Sequence, residues 1–276
     1  MPLRDDVIGV ERDLGVRTWS STDAILYALG VGAGVDDLAY TTENTRETPQ
    51  AVLPTFGVVL ASSGRSTDWG TFDRARMVHG EQSVAQHRPI PPNGTARART
   101  VVTDILDKGT GALVVSETRL TDAETGEPIV TSRSGVFLRG EKGFGAGAPS
   151  PPWEVPARPP DHVRVLTTRP DQALLYRLSG DRNPLHSDPA FARRAGFDRP
   201  ILHGLCTFGF VGRALLATLC DGDPARFAAM EARFTRPVRP GDSLVVQVWA
   251  TDEEARFRVT TQDGRLVLDR GRAVTR

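Results

Sequence analysis

The two halves of the chain repeat the same landmarks in the same order, and this duplication limits the folds open to the sequence. Three landmarks recur at an offset of about 150 residues: Tyr27 and Tyr176, Thr55-Phe56-Gly57 and Thr207-Phe208-Gly209, and Arg88-Pro89 and Arg236-Pro237. An internal repeat of this length indicates a duplicated domain. The interval between the first two landmarks is slightly longer in the second half, in the segment that contains Asp181 and His186.

The first half has the pattern of one short helix followed by antiparallel strands. Ile25, Leu26 and Leu29 share a face at helical spacing, which predicts a helix over 22–29 with Thr22 as its N-cap. The apolar segment 53–60 is compatible with a helical turn or a strand, and Pro54 with the later Ser-Ser-Gly would keep a helix there short. Alternating apolar residues and turn signals predict strands at 77–86, 95–106, 112–122 and 129–139.

The second half repeats this order with a longer helix. Residues 169–176 parallel the first helix, and apolar residues near helical spacing predict a long buried helix from about Gly204 to Leu219. Strands follow at 228–236, 243–252, 255–261 and 266–274. Helices followed by runs of antiparallel strands predict the α+β class.

A stretch rich in proline and glycine separates the two halves. It covers residues 141–160 and has little periodicity, which is typical of a linker. We therefore predict an N-terminal repeat over 1–140, a linker over 141–160 and a C-terminal repeat over 161–276.

Charge and cysteine content exclude several classes of partner. Thirty-four basic residues balance thirty-four acidic ones, so no net field favours nucleic acid or anionic lipid. No apolar run is long enough to span a membrane, and the N-terminus has no signal-peptide core. Cys206 and Cys220 lie in apolar surroundings, which predicts buried thiols in a reducing compartment, and the cytoplasm is the expected location. The chain lacks the Cys and His spacing of a structural zinc site, so we expect no metal.

The segment between Tyr176 and Ala192 contains the strongest chemical signal. It reads Y-R-L-S-G-D-R-N-P-L-H-S-D-P-A-F-A. Glycine permits a positive φ and proline fixes its own φ, so the chain turns sharply and can bring Asp181 and His186 toward a common space. A carboxylate and an imidazole in one turn can act as a general acid/base pair. Turn formation and helix capping are the competing interpretation, with Ser187 or Asp188 as the cap of a helix that starts at Pro189.

The ordered segment resembles the signature of the MaoC-like hydratases, which include the (R)-specific or type 2 enoyl-CoA hydratases and the 3-hydroxyacyl-thioester dehydratases. That signature is an aromatic residue followed by S-G-D-x-N-P-L-H-x-D-P-x-F-A, and every fixed position is present here. The resemblance spans nearly the whole chain. It implies a double hot dog, in which two tandem repeats each wrap an antiparallel sheet around a central helix and the second repeat is catalytic.

The resemblance also implies a reaction and a set of site residues. The reaction would be syn hydration of a trans-2-enoyl-CoA to a (3R)-3-hydroxyacyl-CoA, or its reverse, in fatty-acyl metabolism, with Asp181 and His186 holding the water. Asn183 would orient the pair or the water, and Gly204 would offer its N–H to the thioester oxygen. The expected substrate contacts are His79, Gly80, Lys108 and Phe234. For the neighbouring His203 we favour packing or hydrogen bonding over catalysis.

The family resemblance implies no cofactor beyond the CoA of the substrate, and a homodimer. A shortened first-half helix would leave room for medium or long acyl chains. Two alternatives remain open from the sequence, a non-catalytic acyl-CoA-binding subunit and a hot dog thioesterase. A nicotinamide oxidoreductase is excluded because the glycines at 30–34 follow a helix rather than a strand.

Overall fold

The computed structural model describes residues 3–62, 68–73, 76–147, 152–251 and 254–276. In chain order the first half contains β1 (Glu11–Trp19), α1 (Ser21–Gly30), α2 (Leu38–Thr41), α3 (Phe56–Ala61), β2 (Met77–Gln86), β3 (Gly94–Asp107), β4 (Gly111–Asp122) and β5 (Pro128–Arg139). The second half contains β6 (His162–Thr167), α4 (Gln172–Tyr176), α5 (Pro189–Arg194), α6 (Gly204–Leu219), β7 (Phe227–Phe234), β8 (Ser243–Ala250), β9 (Ala255–Thr261) and β10 (Leu266–Thr275).

The strands form one antiparallel sheet in the order β1-β3-β4-β5-β2-β7-β10-β9-β8-β6. Outward from the centre, each half contributes its strands in the same order, so the two repeats are related about the contact between β2 and β7. That contact pairs Glu81 with Arg233 at one end and Ala85 with Ala229 at the other. The predicted α+β double repeat is therefore present, and its two halves share one continuous sheet.

The helices pack on one face of this sheet and form a core common to both halves. The longest helix, α6, has a buried apolar face that includes Phe208, Val211 and Leu215. Its counterpart α3 is only six residues long. Helix α3 begins after Pro54 and ends at Ala61, as the sequence indicated, while Ser63 and Gly64 lie outside the described residues. The ambiguous segment 53–60 is thus mainly helical.

The N-cap of α1 differs from the predicted one. The Ser20 hydroxyl accepts a hydrogen bond from the Asp23 N–H, and the Asp23 carboxylate accepts one from the Ser20 N–H at 2.8 Å. This reciprocal capping box satisfies two backbone donors and starts the helix one residue before Thr22. The assignment of Thr22 as the cap was wrong, because the apolar spacing defines a helix face but not its first residue.

Strands β1 and β6 were not predicted from the sequence. They lie at the two edges of the sheet, where each pairs with a single neighbour, β3 or β8. Five of the six residues of β6 are exposed, so its sequence lacks the alternation of a half-buried strand. Within the predicted linker the described residues form no helix or strand, although the Phe144 N–H donates to the Ile105 carbonyl at 2.7 Å. The division into two repeats and a linker at these boundaries stays a prediction.

Candidate active site

The turn after α4 brings Asp181 and His186 together. Gly180 has a φ of 127°, a backbone conformation that residues other than glycine rarely adopt. The Asp181 Oδ1 accepts the Asn183 N–H at 3.1 Å, and the Asn183 Oδ1 accepts the Leu185 N–H at 3.0 Å. These two bonds close a short helical turn over Pro184–His186. Asp188 then caps α5, as one of the two expected caps.

Two chain segments form the centre of the site. Ligand-capable atoms of Asp181, His186 and His203 all lie within 4.8 Å of one another. The carboxylate is exposed, whereas the two imidazoles are buried. These three residues carry the donor types of a divalent metal site, although the sequence predicted no metal; that expectation stays a prediction.

The hydrogen bonding of His186 defines its chemistry. Its Nδ1 lies 2.9 Å from the Ile201 carbonyl oxygen, which can only accept, so Nδ1 carries the proton. The Nε2 atom therefore presents a lone pair. Burial lowers the pKa of His186 below its ordinary value, which favours the neutral ring. A neutral imidazole with a fixed tautomer can act as a general base.

His203 packs behind this base and does make a hydrogen bond, in line with the prediction for it. Its ring is stacked on the His186 ring with the centroids 3.7 Å apart. The Tyr176 ring also packs against the His203 ring, with the centroids 4.9 Å apart. Its Nε2–H donates to the backbone carbonyl oxygen of Asp181 at 3.2 Å. Burial, together with the nearby His186, lowers the pKa of His203.

Gly204 is the first residue of α6, where helix N–H groups have no intrahelical acceptor. Its N–H donates no hydrogen bond to any residue in the described part of the chain. The Phe234 ring covers the α-carbon, because a β-carbon added at Gly204 would lie 3.1 Å from the ring. The amide is therefore available to an acceptor that enters beside Phe234.

The first half contributes His79 to the same site. The His79 and Phe234 rings pack edge to face with the centroids 5.0 Å apart, and the charge of Asp181 acts on His79. Gln82 donates through Nε2 to the Ser83 carbonyl at 2.7 Å, so its Oε1 accepts the His79 Nε2–H at 3.1 Å. Burial lowers the pKa of His79 to about 4.

Gly80 lies at a β-bulge in β2, between His79 and Glu81. A β-carbon added there would come within 3.3 Å of the Gly135 carbonyl oxygen, so a larger residue would disturb the contact with β5. Gly80 is thus adjacent to the site through His79, and it packs against β5.

Lys108 lies elsewhere, in a cavity of about 360 Å³. Gln82 and Ala232 are buried, so the residues that alternate with them along the strands, Glu81 and Arg233, point to the opposite face of the sheet. All four residues line the cavity. Its other basic residues are Arg133, Arg270 and Arg272, and Trp153 adds an aromatic ring.

Two of the cavity's cations are uncompensated. Lys108 and Arg270 form no ion pair with an acidic residue among the described residues, whereas Arg233 pairs with Glu81 at 3.0 Å. Arg270 also has a φ of 53°, a strained conformation for a non-glycine residue. The sequence analysis missed Arg270 and Trp153, because nothing in a strand or a linker distinguishes such residues until the fold brings them together.

The antiparallel sheet is built from two repeats with their own helices, and the second repeat places Asp181 and His186 beside the start of α6. This arrangement defines a double hot dog protein with an Asp/His pair at its candidate active site. A family model described as "MaoC like domain" matches residues 153–270, and one described as "MFE-2 hydratase 2 N-terminal domain" matches residues 18–140. The chain belongs to the MaoC-like hydratase family.

Relatives extend over nearly the whole chain. The 3-hydroxyacyl-thioester dehydratase Y of Mycobacterium tuberculosis is 46% identical over 284 residues, 98% of each chain. The Enoyl-CoA hydratase ChsH3 of the same organism is 42% identical over 283 residues, 97% of each chain. A crystal structure of a MaoC-like dehydratase from Phytophthora capsici has a TM-score of 0.89 at 33% identity, covering 99% of this chain and 97% of that one.

These findings confirm the predicted family, the double hot dog fold and the enzyme class, a hydratase or dehydratase of the lyase type. In the described part of the chain no helix is long and apolar enough to cross a membrane. The roles of the individual site residues stay predictions.

Proposed function

We propose that the protein catalyses reversible syn hydration of a trans-2-enoyl-CoA to a (3R)-3-hydroxyacyl-CoA, within fatty-acyl metabolism. The observation that carries this proposal is the geometry of His186, whose Nδ1–H donates to the Ile201 carbonyl, so that Nε2 presents its lone pair, and whose ring lies beside Asp181. Burial also lowers the pKa of His186, which favours the neutral ring. Water adds to C3 of an enoyl thioester only when a base takes its proton and a donor stabilises the enolate. The site contains candidates for both roles.

The Asp181–His186 pair acts on the water in this mechanism. As the water oxygen bonds to C3, His186 Nε2 takes a proton from it, and the Asp181 carboxylate holds the water on the same side. The pair then returns a proton to C2 from that side, so H and OH add to the same face of the double bond. One water molecule is consumed for each double bond. Asn183 acts indirectly, because its side chain closes the turn that fixes both residues.

Gly204 stabilises the enolate that forms when water adds. Its N–H stands at the start of α6, where the helix dipole favours negative charge on the thioester oxygen. The Phe234 ring on one side restricts the direction from which that oxygen can approach. His79 and Gly80 complete the wall of the site beyond Phe234 and are the proposed acyl-thioester contacts.

Lys108 belongs to the nucleotide end of the substrate in this proposal. The CoA phosphates would occupy the cavity that contains Lys108 and Arg270, with Trp153 beside the adenine. The pairing of β2 with β7 ends at Glu81 and Arg233, so the pantetheine arm can cross the sheet there toward Gly204. The 360 Å³ cavity and the catalytic turn would then bind opposite ends of one ligand.

The short helix α3 bears on substrate length. It has six residues where α6 has sixteen, so the first half fills less of the space beneath the sheet with helix. We propose that medium or long acyl chains occupy part of that space. Activity confined to short enoyl-CoAs would contradict this.

The proposal extends to the cofactor, the compartment and the partners of the enzyme. No step of the mechanism needs a cofactor, because the enolate is stabilised by a backbone N–H. Both cysteines are free and buried, which is compatible with a reducing compartment such as the cytoplasm. A homodimer is proposed from the family resemblance alone, and neither nucleic acid nor membrane is a proposed partner.

The test follows the absorbance of the conjugated enoyl thioester with crotonyl-CoA and a longer 2-enoyl-CoA. The wild type should consume both with an R product, while Asp181→Asn and His186→Gln should lose activity by about 10² to 10⁴. Binding of enoyl-CoA without turnover would instead identify a binding subunit. Release of free thiol, detected with a disulfide reagent, would identify a thioesterase.

A further inference from the structure

The second histidine of the site, His203, contacts two residues that the proposed reaction uses and directly precedes a third. Its ring is stacked on His186 with planes 27° apart. Its Nε2–H holds the backbone carbonyl of Asp181 at 3.2 Å. It is also the N-cap of α6, so it directly precedes Gly204. The His203 side chain thus joins the base to the loop of Asp181, and its backbone leads directly into the oxyanion amide.

We propose that His203 is a positioning residue, which fixes the ring plane of His186 and the backbone of Asp181 relative to the Gly204 amide. This inference rests on the proposed hydratase reaction. A displacement of catalytic groups by about 1 Å can lower a rate by about 10²-fold, so such a restraint has a measurable consequence.

A direct catalytic role for His203 is excluded by its surroundings. The side chain is 1% exposed, and its Nδ1 is buried without a hydrogen-bond partner in the described part of the chain. The groups that face it are His186, Asp181, Tyr176 and Arg177. Burial and the nearby His186 lower its pKa, which favours the neutral ring, and its one N–H is already donated to the Asp181 carbonyl.

A simple packing role is also insufficient. An unpartnered buried nitrogen is unfavourable, and a phenylalanine of similar shape would avoid it. What phenylalanine cannot supply is the Nε2–H donor to Asp181. The combination of stack and donor is therefore the property that the histidine adds, and the two parts can be removed separately.

The test uses two substitutions that each keep one part. His203→Phe keeps the ring on His186 but loses the donor, and His203→Gln keeps an N–H donor but loses the ring. Both should lower kcat by about tenfold or more while KM changes by less than about threefold. Phe210→Leu, on the same helix and equally buried, is the matched control and should lower Tm without lowering kcat.

Nitrogen NMR of the histidine rings gives a readout that needs no substrate. Removal of the ring in His203→Gln should admit water and raise the pKa of His186 toward its ordinary 6.5, whereas His203→Phe should leave it low. Wild-type kcat in both variants would overturn the proposal. So would an equal loss of kcat in Phe210→Leu at a comparable decrease in Tm. If the wild type does not hydrate enoyl-CoA, the proposed function fails. The titration of His186 in His203→Gln then tests the positioning role by itself. An unchanged pKa of His186 in that variant would reject the positioning role.

Discussion

His79 of β2 and Phe234 of β7 pack edge to face, with ring centroids 5.0 Å apart and ring planes at 64°. They come from different repeats and meet where the β2–β7 pairing ends. Because Phe234 also covers Gly204, this contact joins the first repeat to the start of the catalytic helix. The candidate site is therefore built by both repeats, although the acid/base motif belongs to one.

Gly204→Ala should reduce kcat by about tenfold or more, because the new β-carbon would lie 3.1 Å from the Phe234 ring and displace either the ring or the amide. KM should change less, since the amide acts on the oxyanion. Steady-state kinetics with enoyl-CoA measure this. Gly34→Ala is the control, because a β-carbon there meets nothing within 4 Å. Equal kinetics for the two variants would remove Gly204 from the mechanism.

Acid should destabilise the protein, because His79, His186 and His203 all have lowered pKa values in the folded state. Below pH 6.5 the unfolded chain binds protons that the folded chain does not, so stability falls with pH down to the folded-state pKa, about 4 for His79. Tm measured from pH 8 to pH 5 should decrease. His79→Gln should flatten this dependence, whereas His87→Gln, at an exposed site, should not. The same slope in both variants would contradict the assignment.

Lys108→Ala and Arg270→Ala should raise KM for enoyl-CoA by about tenfold, since a hydrogen bond to a charged group contributes about 1.5 kcal/mol. KM for the matching N-acetylcysteamine thioester, which lacks the nucleotide, should stay unchanged. Lys142→Ala, an exposed lysine outside the cavity, is the control. Equal effects on the CoA and N-acetylcysteamine substrates would show that the cavity does not bind the phosphates.

Ser20→Ala should lower the free energy of unfolding by about 1 kcal/mol, because it removes the capping box of α1. Thr22→Ala, two residues along and exposed, should have little effect. Chemical denaturation of both variants compares them directly. A larger loss at Thr22 would restore it as the cap.

The sequence alone determined the duplication, the order of the eight inner strands and of the long helix α6, and the turn that contains Asp181 and His186. These depend on local properties: apolar spacing sets the strands and α6, and the glycine and proline of the motif set the turn. The edge strands β1 and β6 and the Ser20 cap were missed, because exposed strands lack alternation and a cap depends on the local backbone.

Only the tertiary structure decided what surrounds that pair. The stack of His203 on His186, the contact of His79 with Phe234 and the cavity around Lys108 and Arg270 join residues that are distant in sequence. No local pattern encodes such contacts, because they arise when two repeats pair their central strands and bury their helices together. The sequence therefore specified the candidate acid/base motif, and the pairing of β2 with β7 specified the environment that surrounds it.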